Sequence, residues 1–205
     1  MDIIESIKKN KLYAVVRVEN KEEAINITQA LIDGGIKNIE ITLENAFGYD
    51  VIEKFASNNK VSIAAGGIVT QSQAEKAINV GAKLIVSPVL QMSLVKFCKS
   101  VKIPHISTAT TANEAYNSWK ARVPITKIYP TLHLGGVEYI QDLLRPMPFL
   151  NVLATGGIEI ADFTKYLDAG AVAVGIGRAF YKNLTIDEVY NRALFATSEL
   201  KRYLN

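Results

Sequence analysis

Short apolar runs rich in valine and isoleucine alternate with amphipathic stretches along the whole chain. The runs are about four to six residues long, which is typical of buried strands. They predict eight strands, at residues 13–18, 38–43, 61–65, 84–88, 105–108, 126–129, 152–155 and 172–176. The stretches between them carry apolar residues at the spacing of one helix face, as amphipathic helices do. They predict helices at residues 22–32, 71–80, 93–100, 112–120, 137–144, 161–169 and 186–203.

One motif, a helix that ends at a glycine directly before a strand, occurs three times. Gly35, Gly81 and Gly170 occupy equivalent positions in these three segments. Glycine commonly ends helices because it adopts the left-handed conformation without strain. About 46 residues separate the first two copies, and roughly twice that distance separates the second from the third. This interval indicates pairs of strand–helix units of roughly 22 residues each.

Strict alternation of strands and helices predicts a parallel sheet that is covered by helices. With eight strands and eight helices, we expect an α/β protein of the closed (β/α)₈ TIM-barrel class, with residues 1–205 forming a single domain. The alternative is an open doubly wound sheet. No Gly-x-Gly-x-x-Gly follows the first strand, where Val16-Arg17-Val18-Glu19 stands instead, so the barrel is favoured.

Composition narrows the possible partners. The 205 residues are 49% hydrophobic and 21% charged, which is typical of a globular protein. The single cysteine, Cys98, excludes an internal disulfide framework, and two histidines leave little material for a metal site, so we expect no metal or other cofactor. The net charge of +3 is spread along the chain. We therefore expect no nucleic-acid partner, while a small anionic substrate is compatible.

The first twelve residues contain an early acidic residue and no long apolar core, unlike a signal peptide. No window approaches the roughly 18 apolar residues that a membrane span needs. We expect a cytoplasmic protein with no membrane partner.

Three charged residues, Arg17, Glu40 and Lys127, are predicted to lie inside the barrel, because side chains alternate along a strand. They lie near the ends of strands one, two and six, where barrel enzymes have their active sites. Burial disfavours the ammonium form of a lysine, and a free amine attacks carbonyl carbons to form a Schiff base. Lys127 is then the candidate nucleophile and Glu40 the general acid/base. A buried structural ion pair is the alternative.

Arg17 has two interpretations of equal weight. An arginine at the barrel mouth binds the carboxylate of a substrate through two parallel hydrogen bonds, or it forms a salt bridge with a neighbouring acidic residue.

A phosphate site is predicted at the loops after strands seven and eight, the usual place in a barrel. Thr155-Gly156-Gly157 follows strand seven, and Gly177 and Arg178 follow strand eight. Glycine lets backbone N–H groups approach phosphate oxygens closely, and a following helix N-terminus adds a partial positive charge. Arg178 adds a full charge. The alternative is that these glycines only form tight turns.

Six segments, in matching order and spacing, together resemble the 2-keto-3-deoxy-6-phosphogluconate (KDPG) and 4-hydroxy-2-oxoglutarate aldolase family, from about Lys11 to Lys182. They are Ala14-Val15-Val16-Arg17, Ile39-Glu40-Ile41-Thr42-Leu43, Ser87-Pro88, Thr126-Lys127-Ile128-Tyr129-Pro130, Thr155-Gly156-Gly157-Ile158 and Gly175-Ile176-Gly177. A lysine followed by an aromatic residue and a proline, with a glutamate upstream on strand two, is a specific combination.

The resemblance implies a homotrimeric class I aldolase that uses no metal. It implies that Lys127 forms the Schiff base, that Glu40 is the general acid/base, and that Thr155, Gly156 and Gly157 help to hold carboxylate and phosphate groups. The implied reaction is reversible cleavage of a 2-keto-4-hydroxy acid. Its products are pyruvate and an aldehyde, either glyceraldehyde 3-phosphate or glyoxylate.

Three further positions match pocket residues of the family. The resemblance implies that Pro88 and Tyr129 line the substrate pocket, and that Arg17 contacts an anionic group of the substrate.

Several positions depart from the family pattern. Glu44 stands where an arginine is common, Ile68 where a threonine contacts the keto acid, and Arg178 where the phosphate loop has a serine. Ser107-Thr108 replaces Pro-Gly, and residues 131–134 replace small polar residues. These changes indicate an altered substrate or a weakened activity on an intact Schiff-base scaffold.

Two alternative functions remain open. One is a sugar-phosphate isomerase or epimerase, in which Glu40 and Lys127 act as acid and base without a covalent intermediate. The other is a catalytically weakened homologue that only binds a keto acid.

Overall fold

The eight strands close into a parallel barrel in which each strand pairs with the next and β8 pairs with β1. The computed structural model describes residues 2–205, so Met1, the first residue of the predicted domain, lies outside the described residues. The predicted TIM-barrel fold is confirmed. The strands are β1 (Leu12–Val16), β2 (Asn38–Thr42), β3 (Ser62–Gly66), β4 (Leu84–Ser87), β5 (His105–Ala109), β6 (Thr126–Ile128), β7 (Val152–Thr155) and β8 (Ala173–Ile176).

Nine α-helices lie within residues 2–205, and most of them cover the outside of the barrel. They are α1 (Ile3–Asn10), α2 (Lys21–Asp33), α3 (Gly48–Ala56), α4 (Gln71–Asn79), α5 (Met92–Ser100), α6 (Ala112–Lys120), α7 (Gly136–Leu144), α8 (Phe163–Asp168) and α9 (Ile186–Leu204). Two short 3₁₀ helices, Thr131–Leu134 and Arg178–Phe180, follow β6 and β8. No helix in this part of the chain is both long and apolar enough to span a membrane.

All eight predicted strands are present, and the structure ends four of them, β1, β2, β4 and β6, one or two residues earlier than the pattern indicated. β1 ends at Val16, so Arg17 lies in the loop that follows. β6 ends at Ile128, so Tyr129 also follows its strand and precedes Pro130 through a cis peptide bond.

Residues 2–205 contain nine α-helices where eight were expected, and two of the nine, α1 and α3, fall outside the seven ranges that the pattern predicted. In α3, Phe47 precedes the helix without a capping hydrogen bond, so the usual start signal is missing. α1 begins at an Asp2 cap and buries Ile3, Ile4 and Ile7. These three side chains pack against the residues inside the barrel. Helix α1 therefore covers the end of the barrel that is opposite to the carboxyl ends of the strands.

The three repeated glycines have the predicted conformation. Gly35, Gly81 and Gly170 adopt φ values of 95°, 98° and 103°, each shortly after a helix ends and before the next strand begins. A side chain at these positions would be strained.

The buried apolar side chains form two layers. The outer layer lies between strands and helices. The inner layer fills the barrel and consists of Ile3, Ile4, Ile7, Tyr13, Ala64, Leu84, Val86, Ile106, Ile125, Leu153 and Ala173. Glu40 and Lys127 are also buried, and they lie above this inner layer toward the carboxyl ends of the strands.

Candidate active site

A cavity of about 750 Å³ opens at the carboxyl ends of the barrel strands. All ten residues predicted for the site line it, so the structure brings them together, while their individual roles remain predictions. They are Arg17, Glu40, Pro88, Lys127, Tyr129, Thr155, Gly156, Gly157, Gly177 and Arg178.

Lys127 and Glu40 form a buried ion pair across the barrel. The Nζ atom of Lys127 donates to Oε1 of Glu40 at 3.0 Å and to Oε2 at 2.9 Å. Their side chains are only 8% and 2% exposed, so little water screens the pair. Lys127 lies on β6 and Glu40 on β2, and alternation along both strands directs them inward as predicted.

The space for the Glu40 side chain comes from small residues on β3. Ala64 is aligned with Glu40 in the β2–β3 register. A methyl group on Gly66 would lie 2.7 Å from both Cγ and Cδ of Glu40, which is closer than carbon atoms tolerate. Gly66 therefore lets the carboxylate reach Lys127.

Arg17 forms a salt bridge at the barrel mouth, and its Nε lies 3.0 Å from Oε1 of Glu44. The departure at position 44 thus supplies a partner for Arg17, and Arg17 still lines the cavity. The backbone N–H of Arg17 donates to the hydroxyl of Tyr181 at 3.1 Å, which connects the end of β1 to the segment after β8. Burial raises the pKa of Tyr181, so this hydroxyl stays protonated.

The glycine loop after β7 approaches the segment after β6 closely. Gly156 and Gly157 have φ values of 100° and 78°. Side chains there would overlap the ring of Tyr129 and the side chain of Leu132. The glycines therefore allow contact between two loops of the cavity, and their backbone N–H groups remain candidates for anion binding.

Thr131 connects the same two loops through its buried hydroxyl. Its Oγ1 donates to the carbonyl of Ile128 at 2.7 Å and accepts the backbone N–H of Thr155 at 3.0 Å. The hydroxyl of Thr155 in turn donates to the carbonyl of Gly175 at 2.9 Å, toward β8. Thr131, one of the departures from the family pattern, thus holds the end of β7, at which the glycine loop begins.

The segment after β8 supplies positive charge. Arg178 begins the 3₁₀ helix that follows the strand, and it lines the cavity with Lys182. Glu159, from the loop after β7, is the acidic residue at this end. The cationic side chains that line the cavity are Arg17, Lys127, Arg178 and Lys182, and the acidic ones are Glu40 and Glu159. Glu44 pairs with Arg17 at the mouth, which leaves Arg178 and Lys182 against Glu159 as the source of the excess. This excess of positive charge favours an anionic ligand.

Ile68, which stands where the resemblance implies a threonine in contact with the keto acid, does not line the cavity. Ile68 is fully buried in the layer between strands and helices. Gly67, the residue before it, lines the cavity instead, so it occupies the place after β3 that faces a substrate.

Sequence reasoning assigned no place in the site to several lining residues, among them Thr108, which it named only as a departure from the family pattern. Thr108 faces inward on β5 and donates to the carbonyl of Ser87 at 2.8 Å. The signal was present, because Thr108 occupies the strand position aligned with Lys127. Tyr181 and Lys182 could not be found in this way, since they lie beyond β8 in an irregular segment.

His105 supports the loop after β4 from outside the barrel. The hydroxyl of Ser87 donates to the carbonyl of Val89 at 2.7 Å, so Nε2–H of His105 donates to Ser87 Oγ, also at 2.7 Å. Burial lowers the pKa of His105 to about 4, which keeps the ring neutral. The ring therefore fixes the loop that carries Pro88.

No group of three or more histidine, cysteine, aspartate or glutamate side chains in residues 2–205 is arranged to hold a metal ion.

The fold and the cavity define a barrel with a buried lysine–glutamate pair and glycine loops after the last two strands. The family model for KDPG and KHG aldolase matches residues 3–194. The chain therefore belongs to the KDPG and KHG aldolase family, as its motifs indicated.

Individual relatives agree with this assignment. The 2-dehydro-3-deoxy-phosphogluconate aldolase of Treponema pallidum is 28% identical over 166 residues, which are 80% of this chain and 79% of that protein. The 2-dehydro-3-deoxy-6-phosphogalactonate aldolase of Escherichia coli is 27% identical over 174 residues, covering 83% and 84% of the two chains. Relatives with different sugar-acid names are thus about equally similar.

A solved structure shares the fold. The KDPG aldolase of Legionella pneumophila, with pyruvate captured at low pH as a covalent carbinolamine intermediate, superposes with a TM-score of 0.85. The match covers 96% of this chain and 98% of that chain at 20% identity.

Proposed function

We propose that the protein is a class I aldolase that reversibly cleaves a 2-keto-4-hydroxy acid to pyruvate and an aldehyde. The substrate class is a 2-keto-3-deoxy-6-phospho sugar acid or 4-hydroxy-2-oxoglutarate. The observation that carries the proposal is the buried contact between Lys127 and Glu40, at the cavity of a chain that belongs to this aldolase family.

The first chemical step needs a neutral amine at Lys127. Transfer of one proton from Nζ to the Glu40 carboxylate, over a contact of 2.9 Å, supplies that amine and leaves a carboxylic acid beside it. The amine then attacks C2 of the keto acid to form a carbinolamine. Glu40 returns its proton to the departing hydroxyl group, water leaves, and an iminium ion remains.

Cleavage follows from the charge of the iminium ion. The bond between C3 and C4 breaks, its electron pair moves to form an enamine, and the C4 hydroxyl proton passes to Glu40, so that C4 becomes an aldehyde. Glu40 then gives the proton to C3 of the enamine. Water hydrolyses the resulting iminium ion, which releases pyruvate and restores the Lys127 amine.

Charge and shape at the rim support an anionic substrate. Arg178 and Lys182 lie beside the glycine loop that follows β7, where we propose that Gly156, Gly157, Gly177 and Arg178 bind a phosphate or a second carboxylate. Arg17, Pro88, Tyr129 and Thr155 are proposed to bind the keto-acid end. Glu44 forms a salt bridge with Arg17 and orients it at the mouth of the barrel.

The experiment is a cleavage assay in which pyruvate release is measured for KDPG, its galactonate epimer and 4-hydroxy-2-oxoglutarate. The matched variant is Lys127→Arg, which keeps a cation beside Glu40 but carries a guanidinium that does not condense with ketones. We expect the wild-type protein to release pyruvate from at least one compound, and the variant to release none while keeping its circular dichroism spectrum.

Two other results would contradict the proposal. Interconversion of sugar phosphates without release of pyruvate would identify an isomerase or epimerase. Binding of the keto acids without turnover would identify a homologue that has lost its activity.

We also propose, from the family resemblance, that the protein is a homotrimer in the cytoplasm. Light scattering of the purified protein should give three times the chain mass. A monomer mass at the concentrations of the assay would contradict the trimer.

A further inference from the structure

Tyr13 carries a buried hydroxyl that the steps above do not use. It lies on β1 in the inner layer of the barrel and is fully buried. Its hydroxyl has no hydrogen-bond partner among the residues that the structure describes. Leaving a buried polar group without a partner is unfavourable, and such groups are rare in folded proteins. An unpartnered hydroxyl below a reactive pair therefore requires an explanation.

The acidic neighbour of Tyr13 is Glu40. Val15, two residues further along the same face of β1, is aligned with Glu40 in the β1–β2 register. Burial raises the pKa of Tyr13 well above its ordinary value, and Glu40 raises it further, both by its negative charge and as a hydrogen-bond acceptor near the phenol, although the two groups do not form a well-aligned hydrogen bond in the free protein. The phenol thus keeps its proton beside the carboxylate. Lys127 is the other ionisable side chain buried inside the described barrel. Asn38, on the same face of β2 as Glu40, is a buried polar residue whose side-chain amide also has no partner among residues 2–205, and the other inner-layer residues are apolar.

Formation of a Schiff base changes what Glu40 can bind. In the free protein, Lys127 donates to both oxygens of Glu40. Once Nζ is bonded to a substrate carbon as an iminium ion, it carries a single hydrogen, so it can no longer donate to both oxygens. Glu40 is 2% exposed, and water cannot easily replace the lost donor.

We propose that Tyr13 is a positioning residue that donates its hydroxyl to Glu40 while Lys127 is bonded to the substrate. Its hydroxyl makes no hydrogen bond within residues 2–205 of the free protein, so no such bond has to be broken when it turns toward the carboxylate. The hydrogen bond holds Glu40 in place for proton transfer at C3 of the enamine. This inference rests on the proposed aldolase function.

The test uses Tyr13→Phe, which removes only the hydroxyl, with Tyr166→Phe as the matched control. Tyr166 is also a buried tyrosine, but it lies on α8 in the layer outside the barrel. The reaction followed is exchange of the methyl hydrogens of pyruvate for solvent deuterium, measured by NMR. It requires the enamine and Glu40 but no cleavable substrate.

We expect Tyr13→Phe to form the pyruvate adduct as the wild type does and to exchange deuterium about tenfold more slowly, as the loss of one hydrogen bond to a charged group predicts. The acid limb of its pH–rate profile should move to higher pH, because a lost donor disfavours the ionised carboxylate. Its stability should equal or exceed that of the wild type, since no hydrogen bond of the free protein is removed. Tyr166→Phe should leave exchange and pH profile unchanged.

Unchanged exchange and an unchanged acid limb in Tyr13→Phe would overturn the role of Tyr13, and so would a variant that fails to fold, since that identifies a structural residue. If the wild-type protein itself forms no adduct and exchanges no deuterium, the proposed aldolase function fails instead. The two failures are therefore distinguishable.

Discussion

The Nζ atom of Lys127 lies 2.9 Å and 3.0 Å from the two carboxylate oxygens of Glu40, although 87 residues separate them along the chain. Each charge is removed from water, and each depends on the other for compensation. Removing one partner of such a pair is strongly destabilising, whereas replacing both by apolar residues is often neutral.

The ion pair therefore predicts a specific pattern of stabilities. Lys127→Met should lower the free energy of unfolding at neutral pH by about 3–5 kcal/mol, because Glu40 stays buried without its partner. The double variant Lys127→Met/Glu40→Leu should recover most of that loss. Chemical denaturation of the three proteins measures both effects. If Lys127→Met lowers the free energy of unfolding by less than about 1 kcal/mol, the ion pair is as weak as an exposed salt bridge, and the prediction is contradicted.

The contact between Gly66 and Glu40 predicts that a single methyl group disturbs the site. Gly66→Ala should lower kcat by about 100-fold, because the new Cβ displaces the carboxylate from Lys127 and small misplacements of catalytic groups are costly. It should also lower the free energy of unfolding by about 1–3 kcal/mol through overpacking.

The control for Gly66→Ala is the double variant Gly66→Ala/Glu40→Ala, in which the overlapping side chain is absent. Its free energy of unfolding should equal that of Glu40→Ala, because the added methyl group no longer meets the Glu40 side chain. An additive loss of stability would show that the strain of Gly66→Ala lies elsewhere.

The two hydrogen bonds of the Thr131 hydroxyl should stabilise the end of β7 and the loop that follows it. Thr131→Val preserves the shape but leaves the N–H of Thr155 and the carbonyl of Ile128 without their partner, which should cost about 1–3 kcal/mol of stability. KM for the cleaved keto acid should rise, because Thr155 and the glycine loop after it are no longer held by the hydrogen bond to Thr131. Thr131→Ser restores the hydroxyl and should behave as the wild type. If Thr131→Ser is as defective as Thr131→Val, the methyl group rather than the hydrogen bond is what matters.

The buried, neutral ring of His105 should make the folding stability of the protein decrease at acid pH. Its folded-state pKa of about 4 lies below the value of about 6.5 expected in the unfolded chain, so the unfolded chain binds the proton first. The stabilisation is complete above pH 6.5 and is lost as the pH falls toward 4, with a total of about 3 kcal/mol.

His105→Gln lacks this titration while keeping a side-chain N–H donor. Its free energy of unfolding should therefore fall by about 3 kcal/mol less than that of the wild type between pH 7 and pH 4. Parallel curves for the two proteins over this range would contradict the neutral, buried ring.

Much of the fold follows from local patterns, because each strand–helix unit carries its own signals. The apolar runs and the glycines that end helices, such as Gly81, indicate the repeated unit, and alternation along strands places Glu40 and Lys127 inside. Closure of the barrel is then enough to bring the site residues to one end.

What could not be predicted depends on contacts between distant segments. The packing of α1 below the barrel and the hydrogen bond of Thr131 with Thr155 need the closed barrel before they exist. A salt bridge of Arg17 was one of the two interpretations from the sequence, but its partner, Glu44, was not predicted. Tyr13 begins the first predicted strand, and the sequence pattern assigned it no role. Its unpartnered hydroxyl near Glu40 became visible only in three dimensions.

The most direct test of Schiff-base chemistry is reduction with borohydride in the presence of pyruvate, followed by peptide mass spectrometry. The wild-type protein should gain the mass of one reduced pyruvate adduct per chain, on the peptide that contains Lys127, and Lys127→Arg should gain none. A wild-type Lys127 peptide that remains unmodified, or an adduct that forms equally in Lys127→Arg, would contradict the assignment of Lys127 as the nucleophile.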